Sequence, residues 1–262
     1  MKQILYLFVF LTVASCATSR PGNKPTSADC NLHLLGENNY QIKTVGILLY
    51  DGFTTLDAMG PYQVFSELIG TEVFFVAKSK GLVRNMNGLP VQVDRGFSDT
   101  GHLDILVVPG GLRETYKLTK DPETIAWIKK VDNTSEFTAS ICTGAWIVGA
   151  AGLLKGKNAT THWYRAEEML AKYGANYKEQ RWVRDGKYWT SAGVTAGMDM
   201  CLDMVREING DKYLRMVLLD LEYNPKPPLK GGSVRATEKE SVKMLQELYG
   251  SQIIPLLESE KE

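Results

Sequence analysis

The sequence predicts an α/β fold in which a mostly parallel sheet is sandwiched by helices. Short, unbroken apolar runs recur along the chain, most of them closed by turn-forming residues, and stretches with helical spacing lie between them. Strands buried on both faces read as continuous apolar runs. Strands alternating with helices give parallel sheets covered on both sides.

Residues 45–50 (Val-Gly-Ile-Leu-Leu-Tyr) form the first such run, closed by Asp51-Gly52. Residues 72–77, 105–108 and 137–142 repeat the type. Helices are predicted over residues 61–68 and 122–131. Both open on proline, which the first helical turn accepts because an N–H there has no intrahelical partner. Residues 145–154 are almost wholly apolar, as suits a helix buried on most sides. Residues 177–190 differ: two extended runs flank Arg184-Asp185-Gly186-Lys187, an Asp–Gly signal that predicts a small β-hairpin. Helices are then predicted at residues 196–209 and 212–221, and an amphipathic one at 238–249. No repeat and no shift in composition divides this stretch, so it is read as one domain, residues 43–262.

Composition narrows the function classes. Lys and Arg number 30, Asp and Glu 30, and 44% of the 262 residues are apolar. A disordered chain would combine low hydrophobicity with high net charge, and a general nucleic-acid binder would show a basic excess. Four cysteines, at 16, 30, 142 and 201, are too few for a disulfide scaffold. They contain no Cys-x-x-Cys pair of the metal-binding kind.

The N-terminus has its own logic. Lys2 precedes an apolar run at residues 4–11, and Val13-Ala14-Ser15-Cys16 follows with small residues before a cysteine. A positive start, a short apolar segment and a small-residue cleavage site are the layout of a secretory signal. The run is too short to span a bilayer, which needs about 20 residues. Val13-Ala14-Ser15-Cys16 resembles the bacterial lipobox, which implies cleavage after residue 15 and diacylation of Cys16. Residues 16–42, rich in Thr, Ser, Pro, Gly and Asn, then read as a tether from membrane to domain. Cys30 at its end is either free or crosslinks two chains.

Open α/β sheets bind ligands at the carboxyl edge of their strands, and two such edges stand out. At Val107-Val108-Pro109-Gly110-Gly111 a strand runs into glycines whose unshielded amides could stabilise a developing anion. An ordinary Pro–Gly turn would leave the same trace. At Ile141-Cys142-Thr143-Gly144-Ala145 a strand delivers Cys142 to the start of the buried helix. A thiol there feels the positive end of the helix dipole, which lowers its pKa and favours thiolate. The geometry is that of a nucleophile elbow, with sulfur in place of oxygen. A buried structural cysteine is the competing reading, and it suits Cys201, which shares a stripe with Met198, Leu202 and Val205.

Ser140-Ile141-Cys142-Thr143-Gly144-Ala145, followed by residues 149–163 (Gly-Ala-Ala-Gly-Leu-Leu-Lys-Gly-Lys-Asn-Ala-Thr-Thr-His-Trp), resembles the ThiJ/PfpI superfamily. Leu56-Asp57 with Gly60-Pro61, Val183-Arg184-Asp185-Gly186, residues 193–199 (Gly-Val-Thr-Ala-Gly-Met-Asp), and Leu221-Glu222-Tyr223-Asn224-Pro225 narrow it to the isonitrile hydratase branch. The resemblance runs from about residue 43 to 233 and implies a flavodoxin-like, class I glutamine amidotransferase-like fold. The same domain is found fused to helix-turn-helix regulators, and too few residues follow Ser233 here to hold such a module.

The resemblance implies Cys142 as nucleophile and Asp57 as general acid and base, where the wider superfamily usually carries Glu. Thr143 and the Gly110 and Gly111 amides would hold and polarise the intermediate. A carboxyl beside a thiolate has its pKa raised by like-charge repulsion, although a helix cap is a second reading of Asp57. His162 would serve in glyoxalase or hydrolase chemistry in related enzymes; a hydrogen-bonded structural histidine is the alternative. His33 and His102 have no such claim. No metal or organic cofactor is implied, the substrate is a small molecule, nucleic acid is not a partner, and a homodimer is expected. Three readings compete: hydration of an isonitrile to a formamide, glyoxalase or hydrolase chemistry through Cys142 and His162, and a thiol-based sensor or binding protein of the cell envelope.

Overall fold

The computed structural model describes residues 39–260. Cys16, Cys30 and His33, with the signal and most of the tether, lie outside the described residues. The chain enters as β1 (Thr44–Leu48), α1 (Thr55–Ser66) and β2 (Glu72–Ala77), followed by the short strands β3 (Gly81–Arg84), β4 (Pro90–Val93) and β5 (Arg95–Gly96). Next come β6 (Ile105–Val108), α2 (Leu112–Leu118), α3 (Pro122–Asp132), β7 (Phe137–Ile141) and α4 (Gly144–Ala150). Strands β8 (Asn158–Ala159) and β9 (Asn176–Tyr177) flank α5 (Ala166–Lys172). The chain ends with β10 (Trp182–Asp185), β11 (Tyr188–Ser191), α6 (Thr195–Asp220) and α7 (Lys239–Glu258).

A seven-stranded sheet in the order β10-β11-β7-β6-β1-β2-β5 forms the centre. Every pairing in it is parallel except β10 with β11. The central strands β1, β6 and β7 are buried on both faces because their side chains alternate between two cores. Val45, Ile47, Ile105 and Val107 face α1 and α6, while Leu48, Leu106 and Val108 face α3 and α4. Cys201 lies in the first core, fully buried. A third cluster, Leu112, Tyr116, Trp146, Tyr164, Met169 and Ile253, seats α7 on α2 and α5. The Asn39 amide donates to the Ile208 carbonyl at 2.8 Å, so contacts with α6 begin upstream of β1. No helix among the described residues is long and apolar enough to cross a membrane.

Several elements depart from the sequence reading. The first helix begins at Thr55, and Pro61 sits inside it instead of opening it. Ala58, Val64 and Phe65 are fully buried, and that burial outweighs the missing Pro61 N–H. The buried helix α4 stops at Ala150, and Gly152, with φ 78°, takes the left-handed turn that follows. The predicted 184–187 turn does join β10 and β11, but β11 also pairs in parallel with β7 and so belongs to the main sheet. The two helices expected around residue 210 run on as α6, broken where Gly210 adopts φ 82° and ψ 172°. The amphipathic helix continues to Glu258. The β3–β4 pair was not expected, although Asn87-Gly88 marks its turn: Asn85 Oδ1 accepts the Asn87 and Leu89 amides at 2.9 and 2.8 Å.

Candidate active site

The carboxyl ends of β1, β6 and β7 converge where the connections leave the sheet in opposite directions, the crevice in which such sheets bind ligands. Cys142 follows β7 directly with φ 57°, the left-handed conformation of a sharp strand-to-helix elbow. Three groups hold it there. Its N–H donates to the Ser191 and Ala192 carbonyls at 3.1 and 3.0 Å, and its carbonyl accepts the Thr161 hydroxyl at 2.7 Å. The pairing of β11 beside β7 therefore positions Cys142 as well as extending the sheet.

Two glycines allow the loops to close around it. A Cβ on Gly144 would stand 2.1 Å from the Val108 carbonyl oxygen, and one on Gly110 would stand 2.7 Å from the Thr143 N and Oγ1. Backbone against backbone cannot yield as a flexible side chain does. Gly144→Ala is therefore expected to cost roughly 2 kcal/mol or more in denaturant unfolding. An unfolding midpoint equal to the parent's would refute that close approach.

Asp57, in the first turn of α1, is fully buried and reaches the same crevice. The Gly110 N–H donates to its Oδ2 at 3.2 Å. Its Oδ1 accepts no hydrogen bond of standard geometry. The helix cap is Thr54, so the capping reading of Asp57 does not apply. Burial pushes the Asp57 carboxyl up to about 7, against the opposing pull of the Gly110 amide, the Cys142 thiol and the Val194 amide. Val194 carries φ 29° at the turn into α6.

The sequence reading expected helix α4 to lower the Cys142 pKa, and the structure reverses the direction. Burial pushes the thiol well up, the neighbouring Asp57 charge adds to it, and the Thr143 N–H opposes them only in part. The carboxyl therefore gives up its proton before the thiol does, and the two proton losses are coupled. Cys201, walled into the core, is also pushed up by burial alone.

The expected oxyanion donors are occupied. Gly110 gives its N–H to Asp57, and Gly111 and Leu112 give theirs to Thr143 Oγ1 at 3.1 and 3.2 Å. The Thr143 hydroxyl in turn donates to Thr115 Oγ1 at 3.1 Å. Its two lone pairs and its proton are all engaged, so Thr143 acts on the thiol chiefly through its backbone. His162 lies beside Gly193 and packs edge-on against Tyr249 of α7 with ring centroids 5.3 Å apart. Its Nδ1 accepts the Tyr164 N–H at 3.3 Å, and burial lowers it to about 4, so the imidazole is neutral. His102 pairs on the surface with Asp104. Among the described residues no cluster of three or more His, Cys, Asp or Glu is placed to hold a metal. Tyr50, Thr115, Thr161 and Tyr249 escaped the sequence reading. Only Tyr50, at the carboxyl end of a strand, carried a positional signal.

A model of the DJ-1/PfpI family matches residues 43–207. The chain belongs to that family. Isonitrile hydratase of Pseudomonas putida is 38% identical over 189 residues, 72% of this chain and 82% of that protein. A deglycase of Thermococcus kodakarensis is 32% identical over 148 residues, 56% of this chain and 87% of that one. Among solved structures, a ThiJ/PfpI family protein from Pseudomonas syringae superposes with a TM-score of 0.78 at 33% identity, covering 88% of this chain and 94% of that one. The predicted α/β architecture is thus that of the DJ-1/PfpI family. Helix α7, which brings Tyr249 to the site, lies beyond the residues that the family model matches.

Proposed function

We propose that the protein hydrates an isonitrile to an N-substituted formamide through a thioimidate on Cys142. The observation that carries this reading is Asp57: a buried carboxyl whose proton is in play near neutral pH, next to a thiol that burial holds toward its protonated form. The Cys142 proton passes to the Asp57 carboxylate as sulfur bonds to the isonitrile carbon. That carbon gains an electron pair and takes the proton from Asp57, giving R–N=CH–S–Cys142. Asp57, again a carboxylate, accepts a proton from water as its oxygen adds to the same carbon. Asp57 passes that proton to the nitrogen, the C–S bond breaks as the new hydroxyl gives its proton to the departing sulfur, and the formamide R–NH–CHO leaves. Cys142 is only 7% exposed, which favours the slim, linear end of an isonitrile over a bulkier carbonyl. The similarity to an isonitrile hydratase supports the same reading.

Turnover of an aryl isonitrile to its formamide tests it, with methylglyoxal run in parallel. His162 makes no bond to Cys142 and is neutral, so His162→Phe should leave isonitrile turnover within about tenfold of the parent. Activity on methylglyoxal alone, lost in that variant, would overturn the hydratase reading in favour of His162 chemistry. Peroxide oxidation of Cys142 with neither substrate turned over would favour a sensor.

Val13-Ala14-Ser15-Cys16 supports a lipid anchor on Cys16 and a place in the bacterial envelope. Mass spectrometry of membrane-extracted protein should find an acylated N-terminal Cys16; a soluble chain still carrying residues 1–15 would refute the anchor. A homodimer accompanies this reading through the family resemblance and is read by light scattering.

A further inference from the structure

We propose that Tyr50 is a positioning residue for the Cys142–Asp57 pair: its hydroxyl clamps the Pro109–Gly110 peptide so that the N–H of that same peptide faces Asp57. The Tyr50 hydroxyl donates to the Pro109 carbonyl at 2.9 Å, and the Gly110 N–H donates to Asp57 Oδ2 at 3.2 Å. Carbonyl and N–H are the two ends of one planar amide. Holding the first therefore sets the direction of the second.

The polarity of the chain behind Tyr50 follows by elimination. Thr143 Oγ1 accepts two amides and gives its proton to Thr115 Oγ1. Thr115 Oγ1 lies 2.7 Å from the Tyr50 oxygen, whose own proton is committed to the Pro109 carbonyl. Thr115 must then donate to Tyr50. The run Thr143 to Thr115 to Tyr50 to Pro109 is a one-way series of hydrogen bonds that starts beside the nucleophile and ends on the peptide that supports the acid. Thr115 and Thr143 are fully buried, so water cannot readily substitute for a lost member.

The titratable groups bearing on the pair are few. Tyr50 itself lies within electrostatic range of both members, and Tyr249 on α7 lies within range of Cys142. His162 stands neutral beside Gly193. The 110–112 and 193–194 turns contribute amides, not charges.

Tyr50→Phe removes the clamp but keeps the ring. The Gly110 amide then supports the Asp57 carboxylate less well, and the carboxyl holds its proton to higher pH. The rate at which iodoacetamide alkylates Cys142, followed on the Cys142 peptide by mass spectrometry so that Cys30 and the buried Cys201 do not contribute, reads the pair whatever its natural substrate. In the parent the rate should rise with pH and level off once the first proton of the pair is gone. A more basic Asp57 moves that midpoint up and, because it takes more of the thiol proton, raises the plateau by the matching factor. Expected for Tyr50→Phe is a midpoint higher by about half a pH unit, a plateau about threefold higher, and unchanged rates below the midpoint. Thr115→Val should shift both in the same direction by less, and Thr115→Ser should restore the parent profile. A folded Tyr50→Phe protein with the parent midpoint and plateau overturns the proposal, as does a uniform change in rate at every pH. If Tyr50→Phe does not fold, the Thr115 pair decides: a parent-like profile in Thr115→Val rejects the series.

Discussion

Cys142→Ala is expected to reduce isonitrile turnover to background, a loss on the order of 10⁴-fold or greater, because the covalent route has no other thiol at the site among the described residues. Cys201 cannot replace it: that thiol lies in the core between α6 and the sheet, fully buried. Alanine removes only the sulfur, and the backbone stays at the elbow through the Ser191, Ala192 and Thr161 bonds. The variant should therefore fold as the parent does, which circular dichroism and thermal unfolding check. Retention of a tenth of the parent rate would rule out the thioimidate and leave Cys142 a bystander.

Asp57→Asn is expected to lower turnover by roughly 10²–10⁴-fold, the usual share of a general acid–base group. It should also change stability in the opposite direction. The folded state holds the Asp57 proton up to about 7, whereas a free aspartate side chain loses it at 3.8. The folded state therefore binds this proton more tightly than the unfolded state does. Its carboxyl costs nothing below the unfolded value, and the penalty grows as pH rises from about 4 and is complete above about 7. The full difference corresponds to at most about 4 kcal/mol at pH 8. Asparagine keeps the shape and never ionises, so the variant should gain stability over the parent at pH 8 and little at pH 4. Denaturant unfolding at the two pH values reads this. A variant less stable than the parent at pH 8 would show that the carboxylate is well solvated or paired after all. Lower activity with higher stability is the trade expected where an enzyme holds a charge in an unfavourable place.

How much of the site was legible beforehand differs from residue to residue. Cys142 was readable because strand, cysteine and small residues follow one another, and each is a local signal. Asp57 was reachable only through family resemblance, since an aspartate near a proline has an ordinary capping explanation. Its real setting depends on α1 starting at Thr55, ahead of the proline that seemed to open it. The glycines at 110 and 111 were singled out as oxyanion donors, and the structure gives them a different task. They let the loop approach the elbow, and their amides serve Asp57 and Thr143. Thr115 and Tyr249 carry no pattern at all. One sits in a seven-residue helix that follows two glycines, the other on a helix that reaches the site only after the whole chain has folded.

By itself the sequence determined the alternation of strands and helices, the elbow and the family. Those follow from periodicity, turn residues and contiguous motifs, all of which act over a few residues along the chain. Only the tertiary structure decided the protonation chemistry. The helix start that should favour a Cys142 thiolate is a local effect, whereas burial beside Asp57 depends on residues 85 positions away in the chain. In a buried crevice desolvation outweighs the dipole of a short helix, so thiol and carboxyl are both pushed up, and the direction of both shifts appears only once they are packed together.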